Sequence, residues 1–394
     1  MTKNLPPDGP DDTGLSDDIF GTETYEAQLP ARKEFLPWHR PRKQFVRHRQ
    51  WCGEIGKLLD GGVSRDGAPL RYLGLPGVDL IDLRCFHSHV CEPRKLRLRF
   101  LGFNSGAHPA SAAHTDLNVS LDEVRKLPYV DPMSDVIWDD FCRLGNQESV
   151  AWKRARDFGP YDVINLDLCD GFGAHPPGAF DDTHYNAVNS LLSLQARTKH
   201  PWLLLLTTRA GRAFVHDDVL QILLNQYLEN LARCPPFRQA STDNFDIATE
   251  SELTGAKNDP AGMLHLFLVG LCKWLIGLAI AQRPPSKVEV RSAIGYRVQA
   301  GAACEDLVSL AIKFEPTFSP VGDRIGLAKR SANIPDECTS SVQALRRIAK
   351  RKDADALLAA NKQLYAEMVA STAALLELAR YDVSAFHAWL QEYP

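Results

Sequence analysis

Between residues 70 and 207 the chain alternates short apolar runs with helical segments, and this alternation restricts its fold more than any other feature. Residues 70–75 (LRYLGL) are stopped by Pro76-Gly77, and residues 95–103 (KLRLRFLGF) end at Asn104-Ser105-Gly106. Residues 135–138 (DVIW) end in Asp139-Asp140, and residues 161–168 (YDVINLDL) lead into Cys169-Asp170-Gly171-Phe172. Residues 202–207 (WLLLLT) are apolar almost throughout. Helical patterns at 78–91, 120–126, 149–158 and 183–198 separate these runs. Runs without in/out alternation belong to a parallel sheet covered by helices on both faces. Two longer β runs follow, 287–298 and 306–314, and their seven-residue connection is too short for a crossover helix. They are predicted to pair antiparallel. The expected fold is α/β: a mostly parallel sheet with a C-terminal antiparallel strand pair, plus helical extensions.

The flanks differ in character. Residues 1–30 carry seven acids against one Lys and few apolar side chains, the pattern of a flexible acidic tail. Residues 31–69 begin as a basic segment, with seven Lys/Arg and interleaved Phe35, Trp38, Phe45 and Trp51 between 31 and 51, and continue as an amphipathic helix. The α/β domain is placed at 70–318, with a helical insertion at about 216–283, and residues 319–394 form a C-terminal helical extension. Within the insertion, residues 262–281 are long and apolar enough to test as a membrane span. They carry Lys273, which is costly at mid-membrane, so a buried helix and no membrane partner are expected. Nine cysteines, odd in number and without a CxxC, together with an N-terminus that has no apolar leader, predict reduced thiols and a cytoplasmic protein.

Several residue groups carry possible chemistry. Asp167 and Asp170 stand together at the end of one apolar run, where carboxylates are costly unless paired or liganded. Arg40, Arg42, Lys43, Arg47 and Arg49 suit phosphate contacts, with Trp38 or Phe45 stacking on a base; the other reading is a solvated helix face. The net charge of −4 excludes a polybasic coat, so a nucleic-acid partner needs such a local patch. A second cluster, Arg346, Arg347, Lys350, Arg351 and Lys352, has helical spacing and the same two readings. Cys85, His87, His89 and Cys91 are types that bind zinc, but no second pair follows at finger spacing, and an ordinary helix is the other reading. Arg209, after the last apolar run, is placed either to bind an anion or to stabilise its loop. No GxSxG elbow, phosphate loop or HExxH is present in the sequence.

Five β/α units closed by an antiparallel pair resemble the class I, Rossmann-like S-adenosylmethionine-dependent methyltransferases, over about residues 70–318. The resemblance implies S-adenosylmethionine as cofactor, held by the turn Gly74-Leu75-Pro76-Gly77, by Asn104 and by Asp139 and Asp140. It places the transfer site at Asp167, Asp170 and Phe172. Tyr72 and Asn104 stand where that family usually has acids. The fourth run, Ile164-Asn165-Leu166-Asp167, is also similar to methyltransferase-like proteins carried with bacterial mobile and defence genes. Two functions follow as expectations. One is methyl transfer to a nucleic acid or other macromolecule. The other is an inactive Rossmann-like binding or scaffold subunit of a larger protein complex.

Overall fold

The computed structural model describes residues 32, 34–61, 67–168, 170–177, 182–299, 304–318 and 334–392. The acidic segment 1–30, and residues 319–333 of the C-terminal extension, lie outside them. The chain enters through α1 (Pro41–Phe45), a π-helical stretch Val46–Cys52 and α2 (Gly53–Asp60). Five β/α units follow: β1 (Leu70–Gly74), α3 (Ile81–Phe86), β2 (Leu98–Phe103), α4 (Ala112–Arg125), β3 (Asp135–Ile137), α5 (Val150–Phe158), β4 (Val163–Asp167), α6 (His184–Gln195) and β5 (Trp202–Arg209). Four helices come next, α7 (Asp217–Arg233), α8 (Pro235–Phe245), α9 (Glu250–Ala256) and α10 (Pro260–Ala281). Then come β6 (Ser286–Tyr296), β7 (Leu307–Pro316), α11 (Glu337–Ala349), β8 (Lys352–Asp353), α12 (Ala354–Ala360), α13 (Lys362–Leu378) and α14 (Val383–Glu392).

The eight strands form one sheet in the order β3-β2-β1-β4-β5-β7-β6-β8. β1 to β5 are mutually parallel, and β7 runs antiparallel between β5 and β6, as the sequence predicts. Successive side chains of β5 feed opposite faces: Leu204 and Leu206 join one core cluster, Leu203 and Leu205 the other. Both faces are covered, which is why the run is continuously apolar. The first cluster packs under α5, α6, α7, α10 and α11, and the second under α1 to α4 and α13.

α10 has the length and composition of a membrane span, yet 72% of its most apolar window is buried inside the protein. Lys273 within it is 5% exposed and pairs with Glu337 and Glu229. β6 carries a bulge between Val290 and Ser292, and the Gln343 amide of α11 fills it by bonding both the N–H and the C=O of Val290 (3.1 and 2.7 Å). The expectation of uniformly reduced cysteines fails at one pair. Cys234, which caps α8, is disulfide-bonded to Cys338 in the first turn of α11.

The two flanks meet. Arg32 N–H donates to the Arg380 carbonyl, and Asp382 N–H to that of Arg32 (2.8 and 2.9 Å). Phe35 sits among Tyr381, Phe386 and Trp389, with ring centroids within 5.7 Å.

A candidate ligand site at the strand ends

Strand order reverses between β1 and β4, and ligands of open α/β sheets bind outside the carboxyl ends of strands at such a point. Here the N-terminal segment crosses that region. Lys43, only 3% exposed, places Nζ 2.5 Å from Asp167 Oδ1 at the end of β4 and 3.3 Å from the Tyr296 hydroxyl at the end of β6. The same ammonium lies 4.5 Å from the Trp51 ring centroid. Arg209, at the end of β5, faces Asp306 at 3.5 Å and lies over the Phe214 ring. Burial, and next the Asp167 charge, hold the Tyr296 phenol well above its ordinary pKa, so it stays protonated. Trp38, Lys43, Asp167, Arg209 and Tyr296 line a cavity of about 120 Å³. That is smaller than the roughly 300–1,000 Å³ of a whole-ligand pocket, and suits a single functional group.

The β1 turn follows the strand next to β4, with Gly74 paired to Asn165 two residues before Asp167. A Cβ on Gly74 would come within 2.6–2.7 Å of the Tyr72 ring, so this position has no room for a side chain. Pro76 packs on Gly102. The Asn104 amide donates to the Pro76 carbonyl (2.9 Å) and accepts from Ala107 N–H (3.0 Å), tying the loops after β1 and β2 together. Gly77 has only the Asp79 carboxylate within 4 Å of its open side. Asp79, 4% exposed, accepts from His39 Nε2 (3.0 Å), from the Tyr381 hydroxyl (3.2 Å) and from Ile81 N–H at the start of α3 (3.4 Å). His39 Nδ1 accepts from Leu36 N–H (3.1 Å), which places the ring proton on Nε2. Burial pushes the Asp79 carboxyl up, but the hydrogen bond from His39, the Arg47 charge and the Ile81 N–H outweigh it and hold the carboxyl below its usual range.

The remaining predicted residues divide. Asp139 accepts from Asp140 N–H, and Asp140 caps the next turn by accepting from Cys142 N–H. The two acids adjoin the Asn104 loop, because Trp138 Nε1 donates to the Ser105 carbonyl (3.1 Å). Asp170 is exposed, whereas Phe172 is buried with its N–H on Thr208 Oγ1 (2.8 Å) and its ring stacked on His184. The five cations of the basic segment are not gathered on one face. Arg40 lies over Trp389, Arg42 pairs with Asp355, and Lys43 with Asp167. Arg47, 2% exposed, binds Asp82, and Arg49 reaches Glu367 at the surface. His87 bonds the Pro128 carbonyl, His89 stacks on His48, and Cys85 Sγ lies 3.8 Å from Cys52 Sγ. Among the described residues no group of three or more His, Cys, Asp or Glu is placed to hold a metal ion. Sequence reasoning did not single out His39, Asp79, Tyr296, Asp306 or Tyr381, and no local spacing marks them.

A family model described as PP_RS20740-like matches residues 32–391. No curated protein matches the chain. Among solved structures, the plantazolicin methyltransferase BpumL in complex with SAH is similar at 12% identity and a TM-score of 0.32, over 70% of this chain and 85% of that one. The same enzyme with a monoazolic desmethylPZN analog and SAH gives 11% identity and a TM-score of 0.33, over 70% and 88%.

Proposed function

Because the chain belongs to the PP_RS20740-like family, whose name carries no reaction, we infer its function from the site: a methyltransferase-like protein that binds S-adenosylmethionine. The observation that carries this reading is the Lys43–Asp167 pair, nearly buried at the end of β4 and facing a cavity with Arg209 and Tyr296. A buried ion pair is costly to assemble, and at a strand end facing a cavity it is a functional-site candidate. The neighbouring turn fits a cofactor, since Gly77 leaves its backbone open to a ligand and Asp139 and Asp140 offer acceptors to an amine at the end of β3. When bound there, the cofactor supplies an electrophilic methyl group. Asp167 holds the acceptor by its proton and receives that proton on transfer, while Lys43 stabilises the carboxylate and Tyr296 fixes the lysine. Catalysis is then mostly positioning. Trp38, 38% exposed at the cavity rim beside two cations, favours an acceptor carrying a flat ring, such as a nucleobase. A cytoplasmic role in a bacterial mobile-element or defence system belongs to this reading through the similarity of the Ile164–Asp167 run.

A second reading is favoured by one observation. Asp79 places the protein's own carboxylate at the N-terminus of α3, where folds of this kind receive a ligand's anionic group. In that case the fold serves as a binding or scaffold subunit. Calorimetric titration with S-adenosylmethionine and S-adenosylhomocysteine separates the two readings. The first requires dissociation constants below about 1 mM, or about 4 kcal/mol of binding, and an Asp167→Asn variant that binds the cofactor but no longer transfers its methyl group to RNA. A folded protein that gives no heat with either compound assigns the second reading.

A further inference from the structure

We propose that the exposed face of α11 binds the phosphodiester backbone of a single nucleic-acid strand along the groove between α8 and α11. Arg346, Arg347 and Lys350 are exposed and line this groove of about 440 Å³, with Pro236 and Val342 also in its lining. Unlike the N-terminal cations, these three have no acidic partner among the described residues. Arg351 of the same run is instead spent on Glu305 and His265. The acids nearest in sequence are engaged elsewhere: Asp353 pairs with Arg297, Asp355 with Arg42, and Glu337 with Lys273. The support is rigid: Gln343 clamps α11 to the β6 bulge, the Cys234–Cys338 disulfide ties its first turn to α8, and Leu345 and Ile348 are fully buried. Guanidinium forks on a fixed helix match phosphate oxygens in pairs, and Arg346, Arg347 and Lys350 stand together within one helical turn, at i,i+3 and i,i+4 spacing to Lys350.

This surface lies on α11, which packs against β6, and its test needs no cofactor, so its failure and that of the methyl-transfer reading are told apart. The experiment is fluorescence anisotropy of the full chain with a labelled 20-nucleotide single strand between 50 and 200 mM salt. Three phosphate contacts predict a log–log salt slope near −2, about 0.7 per contact. Changing Arg346, Arg347 and Lys350 together to Ala is expected to flatten the slope and weaken binding about tenfold at 50 mM. Arg346→Lys with Arg347→Lys keeps the slope, and Arg49→Ala leaves binding unchanged. Circular dichroism of the triple variant stays that of the parent, as for other exposed substitutions. The proposal is overturned by an unmodified protein that does not bind at 50 mM, by a triple variant with the parent slope, or by labelled polyglutamate that binds as tightly as the oligonucleotide.

Discussion

Arg47→Met tests whether the basic segment serves the fold or an outside ligand. The Arg47 side chain is 3% exposed and its Nε lies 2.5 Å from Asp82 Oδ1, while another of its N–H groups donates to the Trp38 carbonyl at 2.8 Å. Burial works against its charge, and the Asp82 charge and bond more than offset that. Methionine keeps much of the volume but leaves Asp82 as a buried carboxylate without its cation, which costs about 3–5 kcal/mol. Asp82 lies in the first turn of α3, whose helix dipole returns about 0.3–1 kcal/mol. The net loss is about 2–5 kcal/mol. With a urea m-value of about 3 kcal/mol/M, the unfolding midpoint falls by about 0.7–1.6 M. Arg47→Met with Asp82→Leu removes both charges and should return to within about 1 kcal/mol of the parent, because apolar pairs of similar volume replace buried ion pairs at little cost. The measurement is urea unfolding followed by tryptophan fluorescence at constant salt. A single variant within 0.2 M of the parent, or a double variant no better than the single, refutes the reasoning. A stable single variant that binds an oligonucleotide more weakly assigns Arg47 to phosphate instead.

Cys338→Ser opens a bridge closing 104 residues and should cost about 2–4 kcal/mol in the same assay; alkylation of the denatured, unreduced parent should leave two cysteines unlabelled. His265 is pulled down to about 4 by burial and the Arg351 charge, and its Nε2 accepts from that guanidinium. The unfolded chain binds a proton below about 6.5 that the folded chain refuses, so stability falls as pH drops from about 6.5 to about 4, and His265→Gln should flatten midpoints measured at pH 7, 5.5 and 4.5. Phe314→Ala removes a fully buried ring stacked 4.2 Å from Trp202 and should cost about 3–5 kcal/mol, read as a lowered urea midpoint.

The sheet was legible wherever burial on both faces left an unbroken apolar run. Residues 202–207 lie on β5 and the run 161–168 contains β4, and the helical insertion expected from about residue 216 opens with α7 at Asp217. Polar helices left no such trace. α8 and α9 are held by their caps, Cys234 on Phe237 N–H and the reciprocal Thr249–Glu252 box, rather than by an apolar stripe. The helix expected from residue 78 starts only at Ile81, because Leu80 takes a left-handed conformation and Asp79 is drawn to His39. At the site, Asp167 was legible as a carboxylate ending an apolar run. Lys43 and Arg47 were not legible as core residues. Their partners lie 124 and 35 residues away, and a charge run read locally looks the same whether it faces water or an acid brought in by the fold.

The backbone bonds joining Arg32 to residues 380 and 382 have a consequence for the order in which the molecule is made. During synthesis the sheet from β1 to β5 can assemble as it leaves the ribosome, since each parallel neighbour is at hand within about a hundred residues. The segment carrying Lys43 emerges before all of it, yet its seat is completed by Tyr296 and by the aromatic cluster of Tyr381, Phe386 and Trp389. The earliest part of the site therefore waits for the latest, and a nascent chain halted after β7 would hold a formed sheet whose strand ends are still uncovered.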